Sequence, residues 1–126
     1  MKKIITTGNA PAPIGPYNQA VLLGDILYSS GQIAINPKTG TLEIDNIESE
    51  TTLVMENLKA ILEAAEMTFE NVIKSSIFVS DMNNFSKINE IYGKYFNSET
   101  APARETVEVA NLPKFVNVEI SIIASH

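Results

Sequence analysis

The hydrophobic and polar positions along the chain change period several times, and each change marks an element. In "AVLLGDILYSSGQIAI" (Ala20 to Ile35) two apolar runs flank Gly24-Asp25. Such a pair suits the tight turn of a β-hairpin, where positive φ is needed. "NPKTGTLE" then reads as a second turn region. From Asp45 to Ala65 the period becomes helical, with Val54, Leu58, Ile61, Leu62 and Ala65 at i, i+4, i+7, i+8 and i+11. Asp45, with Glu48 three residues later, resembles a capping box and would start that helix.

"NVIKSSIFVS" (Asn71 to Ser80) is rich in β-branched residues and predicts a strand. Asp81 is placed to cap a second helix, with Phe85, Ile88, Tyr92 and Phe96 as its buried stripe. "RETVEV" and "VNVEISIIA" follow as strands joined by "ANLPKF". The order is β-β-α-β-α-β-β, with a short first strand expected at "KKII". In the last strand Val118, Ile120 and Ile122 share one face and Asn117, Glu119, Ser121 and Ile123 the other. Arg104, Thr106 and Glu108 share a face opposite Val107 and Val109. Each helix has one strongly apolar face, so βαβ-like connections put both on the same side of the sheet. The other sheet face is too apolar for open water and too polar for a dry core. That predicts a homo-oligomer whose sheets meet around wet clefts.

Composition narrows the chemistry. At 126 residues, 44% hydrophobic and 19% charged, the chain is expected to be one globular domain spanning residues 1–126. No apolar run approaches the roughly 20 residues of a membrane span, and the N-terminus lacks the apolar core of a signal peptide. A cytoplasmic protein, or one that has lost any leader, with no membrane partner is the expectation. The absence of cysteine excludes disulfides, thiolate metal sites and thiol nucleophiles. The single histidine, His126, ends the chain, whereas a protease-like triad, a paired-histidine nuclease or a histidine-rich zinc site needs an imidazole held in a cleft. A formal charge of −6 works against a nucleic-acid partner.

One residue then stands out. Arg104, in "TAPARETVEV", is the only arginine beside eight lysines. Its planar fork of donors suits a carboxylate clamp in a way that a lysine point charge does not; the plainer reading is a surface arginine at a strand end. Asn89 falls at the edge of the second helix's stripe, where a buried amide needs partners. On helix position alone, a structural asparagine bonded to nearby backbone is the plainer account.

"PARETVEVANLPKFVNVEI" resembles the C-terminal signature of the RidA family, also called YjgF. The likeness continues, in register, through "APAPIGPYNQAV", "LYSSGQIAINPKTG", "ENLKAILEAA" and "FSKINEIYGKYF", and so covers nearly the whole chain. The resemblance implies an α+β, chorismate mutase-like fold, with a mixed sheet carrying two helices on one face. It also implies a homotrimer with active sites between subunits. The implied activity is hydrolytic deamination of reactive enamines and imines (2-aminoacrylate, 2-iminopropanoate, 2-iminobutanoate) to 2-keto acids and ammonia, with no metal and no cofactor. In such relatives these substrates are released by pyridoxal phosphate-dependent dehydratases.

Carried over residue by residue, the resemblance makes Arg104 the carboxylate binder and Glu119 the water-associated glutamate. Tyr17, Ser30, Gly31, Asn89 and Thr106 become pocket residues. Three of these have a plainer role as well: Tyr17 packing in a proline-rich loop, Thr106 as an ordinary strand residue, Glu119 as an ion-pair partner of Arg104 or a lysine. The chain departs from the family at Thr106, where many members have cysteine, and at Glu66, where relatives commonly place a helix-ending glycine. Two other functions fit the resemblance: an endoribonuclease or translation inhibitor, and a non-catalytic sensor of 2-keto acids.

Overall fold

The computed structural model describes all residues from Met1 to His126. Its strands are β1 (Lys2–Ile5), β2 (Ala20–Leu23), β3 (Ile26–Ser29), β4 (Val72–Val79), β5 (Ala103–Glu108) and β6 (Val118–Ser125). Its helices are α1 (Ile47–Ala64) and α2 (Phe85–Gly93). The strands form one six-stranded sheet in the order β1-β2-β3-β6-β4-β5. Only β4 and β5 pair in parallel, joined through α2, and every other pairing is antiparallel. The mixed sheet with two helices therefore has the expected α+β form, including the short first strand.

The β2–β3 hairpin turns at Gly24, which has φ of 60°, while Asp25 stays out of the left-handed region. Helix α1 starts one residue later than the capping box predicted. Asn46 is extended, and its Oδ1 accepts the Ser49 N–H at 2.8 Å, which places buried Ile47 at the first helical position. Asp45 and Glu48 do not cap the helix, because the N-cap is decided by which residue takes the extended backbone. Asp81 caps the short 3₁₀ turn Met82–Asn84, which runs directly into α2. Phe96 lies beyond the end of α2 but still stacks on Tyr92, with ring centroids 4.7 Å apart.

At the C-terminus of α1, Met67 N–H reaches Leu62 O at 2.8 Å and Glu66 N–H reaches Glu63 O at 2.9 Å. This is the Schellman pattern, with Glu66 at φ of 59° in the place that favours glycine.

Val54, Leu58 and Ile61 of α1 pack with Ile88 and Tyr92 of α2 on Leu27, Ile77, Val118, Ile120 and Ile122 of the sheet, all buried. Three polar α1 residues, Glu50, Thr51 and Asn57, share the phase of that stripe, and the Thr51 hydroxyl donates to Ile47 O at 2.7 Å within the helix. Buried Glu50 accepts from Asn117 N–H (2.8 Å), Asn117 Nδ2 (2.7 Å) and Val118 N–H (3.2 Å), tying the helix to the start of β6. Asn57, also buried, reaches the segment after β3. The opposite sheet face has no helix. It carries Tyr28 and Val107, 49% and 41% exposed, beside half-buried Phe78, Glu119 and Ile123.

Candidate active site

A cavity of about 370 Å³ opens between the N-terminal loop, the turn after β3 and the start of β6. Its walls include Ile14, Tyr17, Ile33, Ile35 and Pro113, and Glu119 supplies its carboxyl. The loop from Thr7 to Tyr17 has no helix or strand, so its backbone groups need other partners. Buried Gln19 provides them. Its Nε2 lies 3.0, 3.1 and 2.9 Å from the carbonyl oxygens of Thr7, Ala10 and Pro11, and its Oε1 accepts the Thr7 N–H at 2.7 Å. From the other side, Asn57 Nδ2 donates to Ile33 O (3.2 Å) and Ile35 O (3.1 Å), fixing the cavity wall to α1.

Ser30 and Gly31 form the floor. Ser30 N–H donates to Gln19 O at 2.9 Å, and its hydroxyl donates to Asn18 O. Gln32 and Ile120 exchange backbone hydrogen bonds of 2.8 and 3.1 Å, which lays this turn against β6. Gly31 is then so close to Glu119 that a Cβ would sit 2.7 Å from its Cδ. The requirement is one of space, since Gly31 is not in the left-handed region. Burial raises the pKa of the Glu119 carboxyl, and nothing in the chain offsets the shift. Tyr17 is 45% exposed, and its hydroxyl accepts the Ile14 N–H at 3.3 Å. Beyond Pro113, Lys114 and Phe115 hold φ of 55° and 56°, so the rim carries backbone strain of about 1–2 kcal/mol per residue.

Arg104 lies elsewhere. It pairs with Ser75 across β4–β5, whereas Glu119 pairs with Phe78 across β4–β6. Ser75 is fully buried on the helix-covered face, and Phe78 belongs to the open face. The two side chains therefore leave the sheet on opposite sides, with β4 between their strands. One chain does not bring the guanidinium to the carboxyl, and an Arg104–Glu119 ion pair within the chain is excluded. The chain's salt bridge is Lys74 to Glu105, at 2.9 Å.

The Arg104 guanidinium instead lies along α2. Its Nη1 donates to Asn89 Oδ1 at 2.7 Å, and its Cζ is 5.6 Å from the Phe85 ring centroid and 5.1 Å from that of Tyr92. Asn89 is thus exposed and bonded to a side chain, not buried and bonded to backbone. Thr106 shares Arg104's face through its pairing with Ile77. Its Oγ1 is buried with no hydrogen-bond partner. The structure brings Tyr17, Ser30, Gly31 and Glu119 together in one group and Asn89, Arg104 and Thr106 in another.

Gln19 and Asn57 escaped the sequence reading. Asn57 carried a signal, a polar residue at the phase of the α1 stripe. Gln19 carried none.

Such a fold, with a helix-free sheet face and a divided set of polar residues, defines a small α+β protein. The family model described as Endoribonuclease L-PSP matches residues 7–126. The chain belongs to that family, the RidA/YjgF family, and has its chorismate mutase-like fold. It is 52% identical over 124 residues to a RutC family protein of Pyrococcus horikoshii, covering 98% of each chain. It is 46% identical over 126 residues to the 2-iminobutanoate/2-iminopropanoate deaminase of Escherichia coli K12, again covering 98% of each. The crystal structure of Escherichia coli TdcF with bound serine superposes with a TM-score of 0.92 at 43% identity, covering 98% of each chain.

Proposed function

We propose that the protein is an imine deaminase acting on small 2-imino acids, and that its site is completed by a second copy of the chain. The observation that carries this reading is the split itself. A half-buried carboxyl lines a cavity on one side of the sheet, and an arginine without a carboxylate partner stands on the other. Further support comes from the Escherichia coli relative that bears the deaminase name. A closed ring of three identical chains, each a single domain, suits this division, because every boundary joins one cavity to one neighbouring arginine.

In the proposed reaction Arg104 of one copy grips the substrate carboxylate with two charge-assisted hydrogen bonds. The imine carbon then faces Glu119 of the next copy. A carboxylate whose pKa is raised by burial is a better base near neutral pH than an ordinary one. It removes a proton from water as the oxygen attacks the protonated C=N carbon, giving a tetrahedral aminol. Protonated Glu119 returns that proton to the amino group, the C–N bond breaks, and ammonia departs. Loss of the hydroxyl proton leaves the 2-keto acid. The Thr106 hydroxyl, buried and unpartnered, is available beside the bound carboxylate. Tyr17 covers the cavity, while Ser30 and Gly31 shape the floor beneath the reacting carbon.

The test is keto-acid release from imine generated in situ by a dehydratase. Wild type is expected to accelerate it, and Arg104→Ala and Arg104→Lys to lose that acceleration while staying folded. Full activity in both variants overturns the carboxylate-clamp assignment. Saturable keto-acid binding without turnover would identify a sensor instead.

A further inference from the structure

We propose that Phe85 and Tyr92 are positioning residues that hold the plane of the Arg104 guanidinium so that its free N–H edge meets a carboxylate; this rests on the clamp reading above. One hydrogen bond, from Nη1 to Asn89, fixes a point on the guanidinium but not its plane. The group still pivots about that bond. The rings of Phe85 and Tyr92, 5.6 and 5.1 Å from Cζ, restrict the pivot through the attraction of a cation for an aromatic face. Phe85, Asn89 and Tyr92 stand at i, i+4 and i+7 on α2, so a single helix face supplies all three contacts.

The second ring is anchored in turn. The Tyr92 hydroxyl donates to Ser75 Oγ at 2.8 Å. Ser75 is fully buried and is the residue that pairs with Arg104 across β4–β5. Strand pairing, serine, tyrosine ring and guanidinium therefore close a loop, and α2 cannot shift without moving the clamp. Burial raises the pKa of the Tyr92 hydroxyl, with the Ser75 bond and Arg104 only partly opposing, so it remains a donor. The bidentate grip on a carboxylate needs two coplanar N–H bonds. Orientation of the plane is what the rings supply.

The experiment compares the affinity of wild type, Phe85→Leu, Tyr92→Leu, Tyr92→Phe and Arg104→Lys for 2-oxobutanoate and for its carboxamide, by calorimetry. The readout is the preference for carboxylate over amide, which general loosening of the fold does not move. Phe85→Leu and Tyr92→Leu are each expected to cut that preference about three- to thirtyfold with amide affinity nearly unchanged. Tyr92→Phe, which keeps the ring and loses the tie to Ser75, is expected to lose less. Phe85 is only half-buried, so its variant answers even if Tyr92→Leu does not fold. If Arg104→Lys abolishes the preference while Phe85→Leu, and Tyr92→Leu where it folds, leave it intact, positioning by the rings is refuted and the clamp stands. If Arg104→Lys keeps the preference, the clamp itself is refuted.

Discussion

Replacing Gly31 by alanine tests how closely the floor of the cavity determines the place of Glu119. The new methyl carbon would lie 2.7 Å from Cδ, 2.9 Å from Oε2 and 3.0 Å from Cγ of Glu119. Carbon atoms pack comfortably at about 3.5–4.0 Å, so the carboxyl has to retreat by roughly 1 Å. The obstructing atoms belong to the end of a flexible side chain, and Gly31 does not need a left-handed backbone. The fold should tolerate the change, with a melting temperature within about 2 °C of wild type. A displacement of about 1 Å at a reacting group costs on the order of 100-fold in rate. The assay is steady-state release of ammonia and 2-oxobutanoate from imine supplied by a dehydratase. A drop near 100-fold in kcat with an unchanged melting curve is expected. Activity within threefold of wild type would refute the role given to the Gly31–Glu119 contact.

Two further outcomes follow from single side chains. Glu66 is exposed and holds φ of 59° at the end of α1, so Glu66→Gly should stabilise the protein by about 1 kcal/mol in urea unfolding; an unchanged or lower midpoint would contradict the strain. Glu119 has a folded-state pKa raised by burial, so the stability due to its protonated form is fully present below the unfolded value of about 4.3 and lost as pH rises through the folded value. Glu119→Gln should therefore melt with wild type near pH 4 and above it near pH 8. The opposite sign at pH 8 would mean that a cation from a neighbouring copy outweighs the effect of burial, and would contradict a raised Glu119 pKa in the assembly.

Much of the fold was legible because alternation and helical stripes follow burial directly. Val118, Ile120 and Ile122 face the helices, and Ile88 and Tyr92 meet them from α2. The start of α1 was less legible: Asp45 and Asn46 are both good caps, and backbone conformation, not residue type, chose between them. The pocket residues were named through a family resemblance, but their arrangement was not. Alternation showed that Arg104, Thr106 and Glu108 share a face without showing which face. In an edge strand that label is weak, and here the polar set turns towards α2 while Val107 turns to the open side. The separation of Arg104 from Glu119 follows from strand order, which no short stretch of sequence encodes. Glu50 and Asn57 sat in phase with the α1 stripe, and the hydrogen bonds of Glu50 to Asn117 and Val118 and of Asn57 to Ile33 and Ile35 explain why an acidic side chain and an amide occupy core positions.

Subunit complementation tests the composite site most directly. Arg104→Ala and Glu119→Gln copies carrying different tags are co-expressed, and assemblies containing both are isolated by sequential affinity steps. In a closed ring of three, each mixed assembly has one boundary that joins an intact Glu119 to an intact Arg104, so about a third of wild-type activity should return from two inactive parents. Mixed assemblies as inactive as their parents would contradict a site shared between copies.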